Sequence, residues 1–596
     1  MNTDNDLRSE TTADISKSKA SGTRQRIVFF VVGIASWLLL WSMTKWSSTE
    51  WWLCMSWLVV DLWLVLKAVW LLPGRWRTVA LVAVYVSIYV LGISECFIYQ
   101  RYYMHFTPQT LSMITETTDT EATGFLRLCV ESPKLWDVLQ WWGLLFAAQM
   151  VLTWVPVAKV PSRVKVFAAR WTRRMLVVAV VASAIPWLMA KVEVVRFLCL
   201  DDTQELERRD NHVFYSTPWR MVYSLKYQQL SAHEVAKLAD NMLALAEGDA
   251  EVEAPAGAQS DNRVIVFVVG ESYNKHHSSV YGYPLPTTPF QSQCLADSVM
   301  VAMQDAVTPW NVTSSVFKHM FSTHSVDEQG AWTDGVLFPA LFRKAGYEVH
   351  FYSNQFYKSN RQTSADYNGS FFLNSQPFDS LCFDHRNKKH YVYDQGLLRE
   401  VAGNIDKGRH LIVLHLLGQH QPYADRVQKK TKKFKAADIQ RPDLTEAERQ
   451  PVADYDNATL ENDGVLRRIY DRVKNLNAVV VYLADHGEEV YDGNIGMFGR
   501  NHTDVPTSQV LKAEFEVPLE FFVTPAARKA DPQFMARLRQ ASAQPFSIAD
   551  MPHVLLALAS IRTPYYIAER DLLSPKYKPH PRLIKTTGKT YEELKE

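Results

Sequence analysis

The sequence lacks the cysteine patterns that mark a disulfide-stabilised fold or a thiolate metal site. It contains no CxxC pair, and two of its cysteines lie in long apolar runs. This excludes a disulfide framework and a cysteine-based zinc site, and it leaves open a single bridge between Cys294 and Cys382. The six cysteines are Cys54, Cys96, Cys129, Cys199, Cys294 and Cys382.

The chain also lacks an excess of charge of either sign. Its 64 lysines and arginines balance 63 acidic residues, for a formal net charge of +1. That balance argues against a nucleic-acid-binding protein, which carries a basic footprint. A chain of 596 residues is too long for one hydrophobic core, so we expect at least two domains.

Long apolar runs are concentrated in the N-terminal third of the chain. Five of them have about the 20 residues that a helix needs to cross a bilayer, at about 27–45, 51–72, 78–99, 136–157 and 175–193. Residues 1–23 are polar, with little to bury, and we predict a disordered cytoplasmic tail. Residues 24–193 then form a transmembrane domain of five helices, with a membrane-surface segment at 100–135.

Basic residues predict how these helices are oriented. With the N-terminus inside, the inner segments carry thirteen lysines and arginines and the outer segments carry four, as the positive-inside rule requires. Five crossings then place everything beyond about residue 194 outside the cytoplasm. Residues 194–262 are predicted to be connector helices and a linker, and residues 263–596 an extracytoplasmic catalytic domain.

After residue 262 short apolar strands alternate with helical segments, which indicates an α/β domain with a largely parallel sheet. Strands are predicted at 264–269, 348–352, 411–417 and 478–483. Polar residues follow each of them. Because ligands bind beyond the carboxyl ends of parallel strands, we expect these residues to gather at one edge of the sheet. The residues of this group whose imidazoles or carboxylates could bind a metal ion are Glu271, His420, Asp485, His486 and His502.

Imidazole nitrogen and carboxylate oxygen are good ligands for zinc, and catalytic zinc keeps one position open. A hydroxyl beside the ion can be activated as a nucleophile. The residues alone therefore predict a divalent metal site. They leave the nucleophile open among Ser272, Thr313, Ser314 and Ser315.

Five motifs resemble those of one family. The chain is similar to the lipid A and lipopolysaccharide phosphoethanolamine transferases, a group that includes the mobile colistin-resistance enzymes. The resemblance covers nearly the whole chain and implies five spans followed by a domain like those of sulfatases and alkaline phosphatases. The motifs are GESYNKHHSSVYGYPLPTTP from Gly270, NVTSSVFKHMFS from Asn311, LHLLGQHQP from Leu414, YDNA from Tyr455 and LADHGEE from Leu483.

The resemblance assigns roles to individual residues. Glu271, Asp485 and His486 would ligate zinc, with Thr313 as fourth ligand and as the nucleophile that carries phosphoethanolamine. It implies one zinc site and leaves open a second ion during turnover. The residues expected to contact phosphate, substrate or donor lipid are His420, His502, Asn354, Lys358, Thr117 and Glu121.

The resemblance also implies the reaction. Phosphoethanolamine would move from phosphatidylethanolamine to lipid A or the lipopolysaccharide core, through a covalent phosphothreonine-type intermediate. The protein would be a monomer in the inner membrane with its catalytic domain in the periplasm, and its product would weaken binding of cationic peptides such as polymyxin. The sequence departs from the colistin-resistance enzymes where a disulfide flanks the nucleophile, because Pro309 and His319 stand there.

Two other functions stay open on the sequence. A phosphoglycerol transferase resembling the lipoteichoic acid synthases would share the spans, the threonine and the metal but use phosphatidylglycerol. A non-catalytic membrane protein that binds glycolipid belongs to another class. A true sulfatase is disfavoured, because no cysteine lies in a CxPxR-type motif.

Overall fold

The structure is a computed structural model. It describes residues 3–44, 51–102, 105–106, 110–111, 129–130, 132–154, 162–200, 214–248, 251–253, 263–355, 372–374, 376–401, 405–492, 496–501, 505–585 and 587–596. The chain divides into two compact units, one holding most of residues 1–227 and the other most of residues 228–596. The predicted contacts Thr117, Glu121, Lys358 and His502 lie outside the described residues.

Long apolar helices make up the N-terminal unit. They are α1 (Thr3–Thr44), α2 (Trp51–Leu71), α3 (Gly74–Tyr102), α4 (Pro133–Trp154) and α5 (Ser162–Leu198). Each contains a stretch long and apolar enough to cross a membrane, which confirms the five predicted spans. The fifth apolar stretch runs to Leu198, beyond the predicted end at residue 193. Helix α6 (Thr217–Glu247) follows within the predicted connector.

The N-terminal tail differs from its predicted disorder. Helix α1 begins at Thr3, so residues 3–23 are helical rather than irregular. The tail contains no proline, and its first glycine is Gly22. Because nothing in this stretch breaks a helix, it can extend the apolar span that follows it.

Asp61 and Glu95 lie within the predicted spans, and the structure pairs both carboxylates. Asp61 accepts hydrogen bonds from Trp187 Nε1 at 2.7 Å and Lys191 Nζ at 3.1 Å. Glu95 accepts from Arg220 Nη2 at 2.5 Å and lies 2.9 Å from His105 Nδ1. A charge in an apolar unit needs such partners.

The described strands of the C-terminal unit are β1 (Arg263–Gly270), β2 (Met300–Ala302), β3 (Ala306–Val307), β4 (Glu348–Ser353), β5 (His385–Arg386), β6 (His410–His415), β7 (Asn477–Ala484), β8 (Glu489–Val490), β9 (Phe498–Gly499), β10 (Leu519–Val523) and β11 (Phe546–Ser547). Seven of them form a mixed sheet at the centre of the unit, in the spatial order β2-β10-β7-β1-β6-β4-β5. The strands β7, β1, β6, β4 and β5 run parallel, and β10 pairs antiparallel with both β7 and β2. This confirms the largely parallel α/β sheet.

Helices cover this sheet, so its central strands are buried on both faces, as parallel strands usually are. Strands β1, β6 and β7 are buried almost throughout. The helices are α7 (Pro289–Ala296), α8 (Thr313–Phe321), α9 (Phe338–Lys344), α10 (Phe378–Cys382), α11 (Glu446–Val473), α12 (Pro525–Ala530), α13 (Phe534–Ala541), α14 (Met551–Leu558) and α15 (Tyr591–Lys595). A turn at Ser508–Val510 continues as a π-helix at Leu511–Phe515.

Helix α11 carries the YDNA motif and fixes the loop that follows β1. It begins with a capping box in which Thr445 and Glu448 bond each other's backbone N–H groups. From its interior the buried Tyr455 hydroxyl donates to Ser272 O at 2.6 Å and accepts from Asn274 N at 2.7 Å. The helix therefore holds the backbone directly after Glu271.

All six cysteines are free thiols in the structure. Cys294 and Cys382 are both buried, and the bridge that the sequence left open between them is absent. The two positions that flank the predicted nucleophile, Thr313, make other contacts. The His319 imidazole stacks on Trp310 with ring centroids 4.3 Å apart, and Pro309 O accepts from Lys585 N at 2.8 Å.

Candidate metal centre

Glu271 lies one residue beyond β1, at the carboxyl edge of the sheet. Its carboxylate is fully buried. Oε1 accepts a hydrogen bond from Ser272 Oγ at 2.8 Å, and Oε2 accepts from Thr313 Oγ1 at 3.0 Å. A buried carboxylate needs hydrogen bonds or a cation to offset its lost hydration, so this residue anchors a polar site.

Asp485 and His486 reach the same edge because β7 lies next to β1 and ends at Ala484. Both side chains are fully buried. His486 Nδ1–H donates to Gly487 O at 2.8 Å, which leaves the lone pair of Nε2 facing the site. Such a bond to a backbone carbonyl fixes the tautomer of metal-binding histidines.

Thr313 is the first residue of α8. Its hydroxyl lies 3.0 Å from Glu271 Oε2 and 3.3 Å from His486 Nε2. It is nearly buried, with 8% of its surface exposed. The helix starts at this threonine, so the N–H groups of its first turn point toward the site.

The spacing of these atoms matches a tetrahedral metal site. Zinc holds nitrogen and oxygen ligands at about 2.0–2.2 Å, which places neighbouring ligand atoms about 3.3–3.6 Å apart. His486 Nε2 lies 3.2 Å from Glu271 Oε1 and 3.3 Å from Asp485 Oδ2. Glu271, Asp485 and His486 thus offer three mutually close ligand atoms, and the Thr313 hydroxyl offers a fourth.

The electrostatics of the cluster also favour a cation. Burial, together with the neighbouring Glu271, raises the pKa of Asp485 to about 8. Burial opposes the charge on Glu271 too, but His486 holds the pKa of Glu271 well below its usual range. Asp485 Oδ2 is buried and accepts no hydrogen bond within the part of the chain described here. The residues present therefore fit a divalent zinc-type ion, which would neutralise both carboxylates.

Sequence reasoning missed Gln355, which orients Glu271. Its Nε2 donates to Glu271 Oε2 and to Leu416 O, both at 2.9 Å. Gln355 is almost fully buried, just beyond the end of β4. It lies two residues past a strand that ends at this edge, which is the signal that could have identified it.

Sequence reasoning also missed Arg500, although it lies two residues before the predicted His502. Arg500 Nη1 donates to His486 Nε2 at 3.0 Å and to Asn311 O at 3.3 Å. The Asn311 side chain donates in turn, at 2.6 Å, to Oε2 of Glu514, which is a residue of the π-helix. A guanidinium at this position can pair with a phosphate oxygen.

Two glycines permit the close approach of the loops at this edge. Gly418 has φ +49°, and a Cβ there would lie 2.8 Å from Glu271 O. A Cβ at Gly487 would lie 2.1 Å from Ala513 O, a backbone atom of the π-helix. Both positions therefore require glycine, and Gly487 directly follows His486.

The other predicted site residues that the structure describes lie in the same region. His420 is half-buried, and it contributes to the low pKa of Glu271. Its Nδ1–H donates to Gln421 O at 2.8 Å. Asn354 is buried, with its side chain bonded to Asp394 Oδ1 and Tyr391 N, each at 2.8 Å. Its predicted contact with substrate stays a prediction.

The fold and this buried cluster define the class of the protein. A model of the sulfatase family matches residues 263–561, half of the chain, and the chain belongs to that family.

Its relatives narrow the class further. Phosphoethanolamine transferase EptC from Escherichia coli K12 is 24% identical over 540 residues, covering 89% of this chain and 88% of the relative. CptA from Salmonella typhimurium, also named a phosphoethanolamine transferase, is 24% identical over 544 residues, with the same coverage. The predicted resemblance to this group of transferases is thereby confirmed.

Two solved structures share the fold. The lipooligosaccharide phosphoethanolamine transferase A of Neisseria meningitidis, an integral membrane protein, matches with a TM-score of 0.56 and 17% identity over 94% of this chain and 99% of its own. The periplasmic domain of E. coli EptC, solved in complex with Zn, matches with a TM-score of 0.50 and 25% identity over 58% of this chain and 96% of its own. The architecture of five apolar helices followed by a sulfatase-like domain thus extends over almost the whole chain.

Proposed function

We propose that this protein is a zinc-dependent phosphoethanolamine transferase that modifies lipid A or the lipopolysaccharide core from the periplasmic side of the inner membrane. The observation that carries the proposal is the buried convergence of Glu271, Asp485 and His486 on the Thr313 hydroxyl. The names of the relatives supply the transferred group. One of them, from S. typhimurium, is a Kdo(2)-lipid A phosphoethanolamine 7''-transferase, 24% identical over 48% of this chain.

Zinc would be held by Glu271, Asp485, His486 and Thr313, where it would supply positive charge that favours the deprotonated hydroxyl and the phosphoryl oxygens. The protein prepares this hydroxyl itself. Thr313 Oγ1–H points at Glu271 Oε2, so a proton acceptor is in place. The first-turn N–H groups of α8 and the Arg500 guanidinium face the position that phosphate oxygens would take.

The donor in this proposal is phosphatidylethanolamine. Thr313 Oγ attacks phosphorus, the bond from phosphorus to the glycerol oxygen breaks, and diacylglycerol leaves after its oxygen takes a proton. In this proposal His420, with both ring nitrogens protonated, supplies that proton from Nε2. Phosphoethanolamine stays on Thr313 until an oxygen of the acceptor, after giving any proton it carries to His420, attacks phosphorus. The bond from phosphorus to Thr313 Oγ1 then breaks, and Thr313 regains its proton from Glu271. Such a covalent route predicts ping-pong kinetics.

Several parts of the proposal rest on the sequence alone. His502 and Lys358 would help bind phosphate and substrate, and Thr117 and Glu121 the donor lipid. We propose that the enzyme acts as a monomer with one zinc site, and we leave open a second ion during turnover.

To test this proposal, the purified full-length protein is incubated with lipid A and headgroup-labelled phosphatidylethanolamine. A parallel reaction replaces this donor with headgroup-labelled phosphatidylglycerol. We expect label on lipid A and free diacylglycerol from the first donor only, with both products lost in Asp485→Asn. Asp471→Asn on the exposed surface of α11 is the matched control and retains activity. Transfer from phosphatidylglycerol would instead indicate a phosphoglycerol transferase. No turnover and no zinc in the purified protein would indicate a non-catalytic glycolipid-binding protein.

A further inference from the structure

A second group of potential metal ligands lies at the amino edge of the sheet, at the opposite ends of the strands from Thr313. Glu348 and His350 lie two residues apart on β4, so their side chains are on the same face of the strand. The strand register places His410 of β6 beside Glu348, and His385 of β5 beside His350. Four side chains from three neighbouring strands thus meet on one face.

Glu348, His350 and His385 each offer one ligand atom, and these atoms all lie within 4.8 Å of one another, with His410 Nδ1 beside two of these residues. His350 Nε2 lies 3.2 Å from His410 Nδ1 and 3.9 Å from Glu348 Oε1. Glu348 Oε2 lies 3.7 Å from His410 Nδ1, and Glu348 Oε1 lies 2.5 Å from His385 Nε2. A tetrahedral zinc ion holds such atoms about 3.3–3.6 Å apart, so small side-chain movements would place all four around one ion.

The surroundings orient two of the imidazoles for metal binding. His410 Nε2–H donates to Lys407 O at 2.7 Å, which leaves the lone pair of Nδ1 facing the group. His350 Nδ1 lies 3.1 Å from the Tyr352 hydroxyl, and Nε2 faces inward. Outer bonds of this kind, to a carbonyl or a polar side chain, hold metal-binding histidines in one tautomer and orientation.

We propose that Glu348, His350, His385 and His410 form a second zinc site, separate from the catalytic one. Three imidazoles and one carboxylate complete a four-coordinate shell without an open position, which is the pattern of a structural zinc site. The strand β6 separates the two sites by at least about 15 Å, from five residues at about 3.3 Å each. The proposal does not depend on the reaction proposed above.

The consequence for the fold concerns β5, which forms the edge of the sheet. This strand has two residues, His385 and Arg386, and among the described residues it pairs with β4 alone. An ion bound by side chains of β4, β5 and β6 would cross-link this edge to the centre of the sheet. The site would thereby stabilise the loops before and after β5.

A metal-free arrangement of the same atoms is the competing explanation. In the metal-free arrangement, Tyr352 O–H donates to His350 Nδ1, and His350 Nε2–H donates to His410 Nδ1. The His385 side chain pairs with Glu348. Every group is then satisfied without an ion. Metal binding instead requires His350 to carry its proton on Nδ1 and donate to Tyr352, so the two explanations differ in zinc content.

The zinc content per chain, measured by inductively coupled plasma mass spectrometry, distinguishes the zinc site from the metal-free network. Full-length protein is loaded with Zn²⁺, dialysed against metal-free buffer and compared with the double variant Glu348→Gln/His385→Ala. Both side chains are nearly half exposed, at 47% and 45%, so their replacement should leave the fold intact. His390→Ala, an exposed histidine outside the group, is the matched control.

We expect the double variant to hold one zinc ion fewer than the wild type and the His390→Ala control to hold the same number. Transfer activity of the double variant should stay within about twofold of the wild type, because the catalytic cluster is intact. Anomalous scattering at the zinc edge should place a peak among the four side chains. Equal zinc content in wild type and double variant, with no peak at this position, would overturn the proposal in favour of the hydrogen-bonded network.

Discussion

Replacing Gln355 with methionine tests whether the protein preorganises Glu271 for the metal. The side-chain amide donates one hydrogen bond to the Glu271 carboxylate and one to Leu416 O. Methionine has a similar length and volume, so Gln355→Met removes both donors without opening a large cavity. The Glu271 carboxylate then loses an orienting partner, and Leu416 O loses a buried hydrogen bond.

The size of the effect follows from two estimates. A hydrogen bond to a charged group contributes about 1.5–3 kcal/mol. Removing an outer partner of a metal ligand costs about 10- to 100-fold in metal affinity, which corresponds to about 1.4–2.8 kcal/mol. The two ranges overlap, so we expect Gln355→Met to weaken zinc binding by about 30-fold.

The assay is competition for zinc against a chromophoric chelator, in the Glu348→Gln/His385→Ala background so that the site at Glu271 is measured alone. Gln293→Met is the matched control, because Gln293 Nε2 also donates to a carboxylate, Asp297 Oδ2 at 2.9 Å, but on an exposed helix. The control should bind zinc as tightly as its parent. An affinity loss below about threefold in Gln355→Met would refute the reasoning, since Glu271 would then hold its orientation without this partner.

Two further predictions concern stability. Gly487→Ala would drive a Cβ into a backbone carbonyl of the π-helix, so we expect a loss of about 3 kcal/mol in unfolding free energy from denaturant titration; an unchanged midpoint would contradict this. Burial opposes the charge on His277, but Asp492 and Asp456 raise its pKa to about 10. The charged form therefore stabilises the fold fully below about pH 6.5, where the unfolded chain is also protonated, and this contribution declines by up to about 1.4 kcal/mol per pH unit toward pH 10. The melting temperature of His277→Gln should lie well below that of the wild type at pH 6.5 and approach it by pH 9.5, whereas a constant difference would contradict the ion pairs.

The sequence predicts the edge of the sheet well, because strand ends can be read directly from it. A buried apolar run followed by Glu271, and another followed by Asp485 and His486, identifies two strand ends without any structure. The structure then shows these strands to be neighbours, β1 and β7. Spacing between motifs, however, does not give the order of strands in a sheet, so the contact between these residues had to be inferred from the chemistry.

The partners of the site residues could not be predicted in the same way. Gln355 and Arg500 act through hydrogen bonds to residues far away in the chain, and neither residue type signals such a role. The group around Glu348 is likewise invisible in the sequence, because it forms through the register of three strands that lie far apart in the chain. The helical N-terminal tail was missed for a different reason, since its polar composition does not exclude a helix that continues from a span.

The central claim is that Thr313 is the nucleophile, and intact-protein mass spectrometry after incubation with phosphatidylethanolamine tests it most directly. We expect a phosphoethanolamine adduct on the wild type and on Ser314→Ala, with peptide mapping placing it at Thr313. Thr313→Ala should show no adduct. An adduct that persists in Thr313→Ala would contradict the assignment of the nucleophile, and the absence of any adduct on an active wild-type enzyme would contradict the covalent mechanism.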